Sequence, residues 1–132
     1  PQREQLELFI KENNLSRNVS LKGFSRRLNK EYHNFDCFIL SSRYEGFPLV
    51  MVNALASGMP VIAFDCKTGP SDIITSRNGI LVQNGNIDQL STAIVDFFNE
   101  SNKRFSYIDC VESSKKYNLS SVLKSWINIL DH

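Results

Sequence analysis

Residues 35–65 read FDCFILSSRYEGFPLVMVNALASGMPVIAFD, and this stretch decides the fold. It opens with the apolar run FDCFILS, too poor in polar residues to turn either side to water, which predicts a central strand of a buried parallel sheet. Pro48 suits the first position of a helix, Leu49 to Ser57 continues it, and Gly58 followed by Pro60 ends it. That helix is apolar nearly all round and is expected to be buried. VIAF, residues 61–64, is a second short apolar strand.

The same alternation continues on both sides. GILV, residues 79–82, follows the turn pair Asn78 and Gly79. Asn86 with Gln89 three residues on forms a capping-box-like start for the helix IDQLSTAIVDFF. Two more helices are expected, from Phe105 to Lys115 and from Ser120 to Leu130. In the last, Val122, Leu123, Trp126, Ile127 and Leu130 make an apolar stripe read as core. Towards the amino terminus, Leu6, Phe9 and Ile10 mark a helix that Asn13 and Asn14 punctuate; VSLKGF, residues 19–24, reads as a strand and Arg26 to Tyr32 as a helix. Short apolar strands alternating with helices specify an α/β fold: a Rossmann-like parallel sheet, covered by helices on both faces and joined by right-handed crossovers.

With 132 residues, 42% of them hydrophobic, the chain fits one domain over residues 1–132. A formal charge of +1 gives no electrostatic reason to expect nucleic acid as a partner. Cys37, Cys66 and Cys110 form neither a CxxC pair nor an even set, so neither a disulfide framework nor a zinc site is expected. Cys37 reads as a small buried hydrophobe. His33 has only Asp36 nearby, which does not make a metal site. No apolar stretch reaches the ~20 residues of a membrane span, and no export signal opens the sequence. A cytoplasmic location is therefore expected. Because it starts without Met inside an amphipathic segment, the sequence reads as a piece of a longer protein.

Sheets of this kind bind ligands outside the carboxyl ends of their strands. The loop after FDCFILS is where chemistry is expected. Gly46 permits close approach of a ligand, and Leu49, Val50 and Met51 are expected to present unpaired amide hydrogens, an anion site at the helix amino terminus. Pro48 has no amide hydrogen and only shapes the turn. Glu45 precedes this end and Asn53 follows eight residues later, a separation of up to ~12 Å at 1.5 Å rise per residue. That is comparable with the reach from sugar to ribose across a diphosphate. Glu45 alone is also compatible with a simple helix-start carboxylate, Phe47 with a buried aromatic, and Asn53 with a side chain satisfied inside the protein. Gly23, Phe24 and Ser25 fit either a plain turn or a ligand loop, and Gly69 with Pro70 fits a turn.

The run EGFPLVMVNALASGMPVIA, residues 45–63, resembles the donor-binding signature of the retaining glycosyltransferases of family 4, enzymes with two Rossmann-like domains in the GT-B arrangement. That signature has two glutamates separated by seven residues; Glu45 matches the first, and Asn53 stands where the second belongs. The resemblance extends from near Leu6 to Leu130, including the loop Thr68, Gly69, Pro70 ahead of Asp72, Ile73 and Ile74; it also implies a last helix that crosses back to the other domain, leaving part of the Trp126 stripe exposed in this chain alone. It implies that Glu45 is the catalytic residue, holding the donor sugar. Gly46, Phe47, Leu49 and Val50 would hold sugar and diphosphate, Asn53 the ribose, and Gly23, Phe24 and Ser25 the base. An amide at position 53 lacks the charge-assisted pair a carboxylate gives a ribose diol, so a donor affinity about tenfold weaker, or an altered nucleotide preference, is expected.

The resemblance further implies hexosyl transfer from a nucleotide diphosphate sugar, UDP- or GDP-linked, to a glycan or lipid-linked acceptor in bacterial polysaccharide biosynthesis. No metal and no separate cofactor are implied. The first strand of the domain, a following arginine and lysine that neutralise the diphosphate, and the acceptor-binding domain would all lie ahead of Pro1. This chain alone is accordingly expected to be inactive, and the whole protein to work in the cytoplasm, also at the inner face of the cell membrane. A nucleotide-sugar epimerase of GT-B architecture and a non-catalytic nucleotide-binding or scaffolding subunit are the alternatives.

Overall fold

The computed structural model describes residues 2–99 and 104–130. Its elements run α1 (Arg3–Glu12), α2 (Leu28–Glu31) with a 3-10 turn at Tyr32–Asn34, β1 (Phe38–Leu40), α3 (Leu49–Ala56), β2 (Val61–Asp65) and α4 (Pro70–Ile73). They continue with β3 (Gly79–Gln83), α5 (Ile87–Asn99), α6 (Tyr107–Ser114), a 3-10 turn at Lys115–Tyr117, and α7 (Leu119–Leu130). The strands form one parallel sheet in the order β1-β2-β3, with Phe38 opposite Val61 and Val61 opposite Gly79. The class is α/β and Rossmann-like, as the sequence predicts.

Alternation along β2 builds a core on each face of the sheet. Val61 and Ala63 pack with Met51, Val52 and Leu55 of α3, Ile73 of α4 and Cys110 of α6. Ile62 and Phe64 pack on the opposite face with Ala93 and Phe97 of α5, together with Val82 and Phe105. Gly58 ends α3 at a φ of +78°, and a Cβ there would lie 1.9 Å from the Tyr107 ring, so only glycine lets α3 and α6 meet. The Asn78 side chain is fully buried, accepting from the Thr75 amide at 2.7 Å and donating to the Ile73 carbonyl at 3.1 Å. It pins the turn that launches β3.

The caps follow the sequence with one change. Asn86 Oδ1 accepts from the Gln89 amide at 3.0 Å, but Gln89 Oε1 accepts from the Gln83 amide, not from Asn86. Ser106 and Asn118 cap α6 and α7 through the amides of Asp109 and Ser121.

Four expectations are corrected. VSLKGF forms no strand: among the described residues no ladder receives its backbone, and the Leu21 carbonyl instead accepts from Arg3 at 3.2 Å. Among the described residues β1 pairs with β2 alone, so FDCFILS stands at the edge of the described sheet where a central strand is expected, and Ile39 is 40% exposed. The helix α3 is buried on one side only: Met51, Val52, Ala54 and Leu55 face the core, while Leu49, Val50, Asn53 and Ala56 face outward. No residue of α7 is buried, so the Trp126 stripe is not core of this domain.

Candidate functional site

Parallel strands bring all their carboxyl ends to one edge of the sheet, and the loops leaving them meet there. The β1 loop, residues 41–48, is tied to the β3 loop by Asn84 Nδ2, which donates to the Arg43 carbonyl at 3.2 Å. It is tied to the β2 loop by the Thr68 hydroxyl, which donates to the Glu45 carbonyl. Thr68 sits at a φ of +68° and Gly69 at +104°. Those two residues carry the chain beneath Pro48; a Cβ on Gly69 would fall 2.5 Å from the Pro48 ring.

Glu45 is half-buried in this junction, and among the described residues its carboxylate has no ion-pair or hydrogen-bond partner. Cys66, which is 2% exposed, lies within electrostatic reach of it. Burial pushes the Cys66 thiol up and the Glu45 carboxylate adds to the rise, while the amides of Cys66 and Glu45, hydrogen-bonding the sulfur, offset part of it.

The anion cradle differs from its sequence reading. The Leu49 amide closes onto the Phe47 carbonyl and the Met51 amide onto the Pro48 carbonyl, both at 2.9 Å, because Pro48 at ψ 78° folds the helix start into tight turns. These two amides are spoken for. Among the described residues the amides of Gly46, Phe47 and Val50 have no acceptor, and all three residues are exposed. A Cβ on Gly46 would meet nothing within 4 Å, so open space lies over this amide. The arrangement can take an anionic group against Gly46, Phe47 and Val50 with a carboxylate beside it.

Phe47 is exposed, with its ring edge-on to Tyr117 at 5.4 Å; it is not a core residue. Tyr117 in turn donates to the Asp72 carbonyl at 2.9 Å. Asn53 is exposed on the outer side of α3, so no internal partner is needed to satisfy its amide, and its side chain makes no recorded hydrogen bond. Tyr32 reaches the Val50 carbonyl at 3.4 Å, which fixes α3 against the preceding segment.

Among the described residues Gly23, Phe24 and Ser25 share no hydrogen bond with this junction. Ser25 Oγ donates to Glu31 at 2.5 Å and accepts from the Arg27 amide, so it ties the turn ahead of α2 to the end of that helix. Gly23 has a φ of +72° and Phe24 is 90% exposed. Sequence reasoning did not single out Cys66 or Tyr117 for this site; both lie outside the 41–65 motif, and only the tertiary contacts bring them to it. Among the described residues no group of His, Cys, Asp and Glu is arranged to hold a metal ion.

A family model described as "Glycosyl transferases group 1" matches residues 1–112. The chain belongs to that family. Glycosyl transferases group 1 members with curated functions include the poly(ribitol-phosphate) alpha-N-acetylglucosaminyltransferase of Staphylococcus aureus strain COL, 33% identical over 98% of this chain and 27% of its own length. A solved variant of S. aureus TarM, in complex with Fondaparinux, alpha-GlcNAc-glycerol and UDP, superposes with a TM-score of 0.79 at 32% identity, covering 100% of this chain and 27% of that one. The C-terminal domain of a glycosyl transferase group 1 family protein (LpcC) from Francisella tularensis shares the fold, with a TM-score of 0.73 at 24% identity over 89% of this chain and 63% of that one. The chain thus spans between 19% and 37% of the length of the first three curated relatives it matches.

Proposed function

We propose that this chain is the donor-binding part of a retaining hexosyltransferase that takes a nucleotide diphosphate sugar. The observation that carries the reading is the junction itself: an unpaired carboxylate on Glu45 beside three free amides, at the carboxyl edge of the sheet, in a member of the glycosyl transferases group 1 family. Glu45 accepts hydrogen bonds from sugar hydroxyls and favours positive charge developing at the anomeric carbon. Gly46, Phe47 and Val50 hold the diphosphate by their amides, and Leu49 contributes the exposed apolar wall beside them. Asn53, one turn further along the same outer side of α3, takes the ribose hydroxyls.

In this reading the anomeric carbon parts from the donor's phosphate oxygen, and the acceptor oxygen bonds to it on the same face. The acceptor's proton passes to the departing phosphate, so no nucleophile from this chain is needed. What the protein supplies is position and charge. UDP is the favoured nucleotide, supported by its presence in the solved TarM complex; GDP is the other candidate. The acceptor is a glycan or a lipid-linked chain, and the whole protein works in the cytoplasm or against the inner face of the cell membrane.

Calorimetric titration of the full-length protein with UDP and GDP, followed by a donor panel with product analysis, tests the reading. Saturable binding of one nucleotide and transfer with retained anomeric configuration are expected. Binding without any transfer or donor hydrolysis would favour a scaffolding subunit, and an epimerised nucleotide sugar would favour an epimerase.

A further inference from the structure

The backbone of Glu45 is held by the loop that leaves β2. Its carbonyl lies within hydrogen-bond reach of the Thr68 hydroxyl, whose single proton it shares with the Lys67 carbonyl at 2.6 Å. Thr68 is β-branched and yet sits at a φ of +68°, a region such residues rarely enter. The next residue, Gly69, passes so close beneath Pro48 that a Cβ would lie 2.5 Å from the ring and 3.8 Å from the Gly46 carbonyl. One loop therefore bonds Glu45 and packs against Pro48, close to the Gly46 carbonyl.

We propose that Thr68 is a positioning residue for the donor sugar, acting through the peptide of Glu45 to aim its carboxylate at the sugar hydroxyls. The assignment rests on the reading of Glu45 given above and adds a residue to that site. The backbone conformation at Thr68 is one found at functional sites when the surroundings over-determine it. Here the surroundings are the carbonyl of Glu45 and the closed contact of Gly69 with Pro48. The Glu45 carbonyl belongs to the same planar peptide as the Gly46 amide, so the Thr68 bond orients that amide together with the residue that bears the carboxylate.

The bond depends on the hydroxyl alone, and that supplies the test. In the full-length protein, Thr68→Val keeps the β-branch and the shape but removes the hydroxyl, while Thr68→Ser keeps the hydroxyl. Calorimetry with UDP and with UDP-N-acetylglucosamine, alongside turnover and thermal melting, gives the readout. The expected result for Thr68→Val is at least tenfold lower kcat with the nucleotide sugar, a smaller loss of UDP affinity, an unchanged melting temperature, and recovery to within threefold in Thr68→Ser. Adding Thr68→Val to Glu45→Ala should cost less than the product of the two single losses.

Wild-type kcat in Thr68→Val, while Glu45→Ala loses activity, would overturn the assignment and leave the proposed function standing. A lowered melting temperature with no rescue by serine would reduce Thr68 to a fold residue and also overturn it. An active Glu45→Ala enzyme, or a wild type that binds neither UDP nor the nucleotide sugar, would remove the underlying reading and this assignment with it.

Discussion

The Thr68 hydroxyl donates a hydrogen bond to the main-chain carbonyl of Glu45, 23 residues earlier in the sequence. This contact joins the loop after β2 to the loop after β1 at the sheet edge where a ligand is expected. The geometry of Glu45 therefore depends on residues outside the motif that contains it, and substitutions in either loop separate stability from binding.

Gly69 and Gly46 should behave in opposite ways. At Gly69 a Cβ meets the Pro48 ring at 2.5 Å and the φ of +104° disfavours any side chain, so Gly69→Ala costs about 1–3 kcal/mol of stability. At Gly46 a Cβ meets nothing within 4 Å, so Gly46→Ala leaves the fold unchanged. It nevertheless fills space reserved for the donor and should weaken nucleotide-sugar binding about tenfold, which corresponds to ~1.4 kcal/mol. Melting curves and donor titrations on the two variants check this pair.

Asn53 offers a gain-of-affinity test. It is exposed on α3, so Asn53→Glu places a carboxylate there without burying it. A charge-assisted bond is worth roughly 1.5–3 kcal/mol against about 1 for a neutral one. Donor and UDP should bind about tenfold more tightly in the variant, with melting temperature unchanged. Unaltered affinity by calorimetry would show that position 53 does not meet the ribose.

The fully buried Cys110 has its thiol pushed up from 9.0 to about 11, first by burial and then by the Asp109 carboxylate. Because a raised pKa favours the neutral thiol, the reactive thiolate is scarce below that value. At pH 8 a thiol of that pKa is about 0.1% ionised, so alkylation of Cys110 by iodoacetamide in the native protein should be at least ~100-fold slower than for a free cysteine. The thiolate fraction, and with it the rate, should climb with pH towards about 11. Mass spectrometry of the labelled peptide, taken over a pH series, provides the measurement.

The parts legible in the sequence were those where chemistry and local pattern agree. VIAF became β2, GILV became β3, and the helices that flank them follow from apolar spacing and from the caps at Asn86 and Gly58. Family membership was legible too, through EGFPLV and its helix. Pairing was less so, because an apolar run such as FDCFILS does not say what lies on each side of it, and VSLKGF found no ladder among the described residues. At the site, Pro48 was recognised as the turn former, yet its ψ of 78° and the inward closure of the Leu49 and Met51 amides were not readable from its identity. Thr68, Cys66 and Tyr117 reach the site only through tertiary contacts with residues 45–47.

The central claim is that the Glu45 carboxylate holds the donor sugar, and its most direct measurement is kcat/KM for transfer by the full-length protein carrying Glu45→Ala. A fall of about 100- to 1000-fold, the cost of ~3–4 kcal/mol of lost transition-state stabilisation, is predicted with an unchanged melting temperature. A variant that transfers sugar at near the wild-type rate would contradict the account.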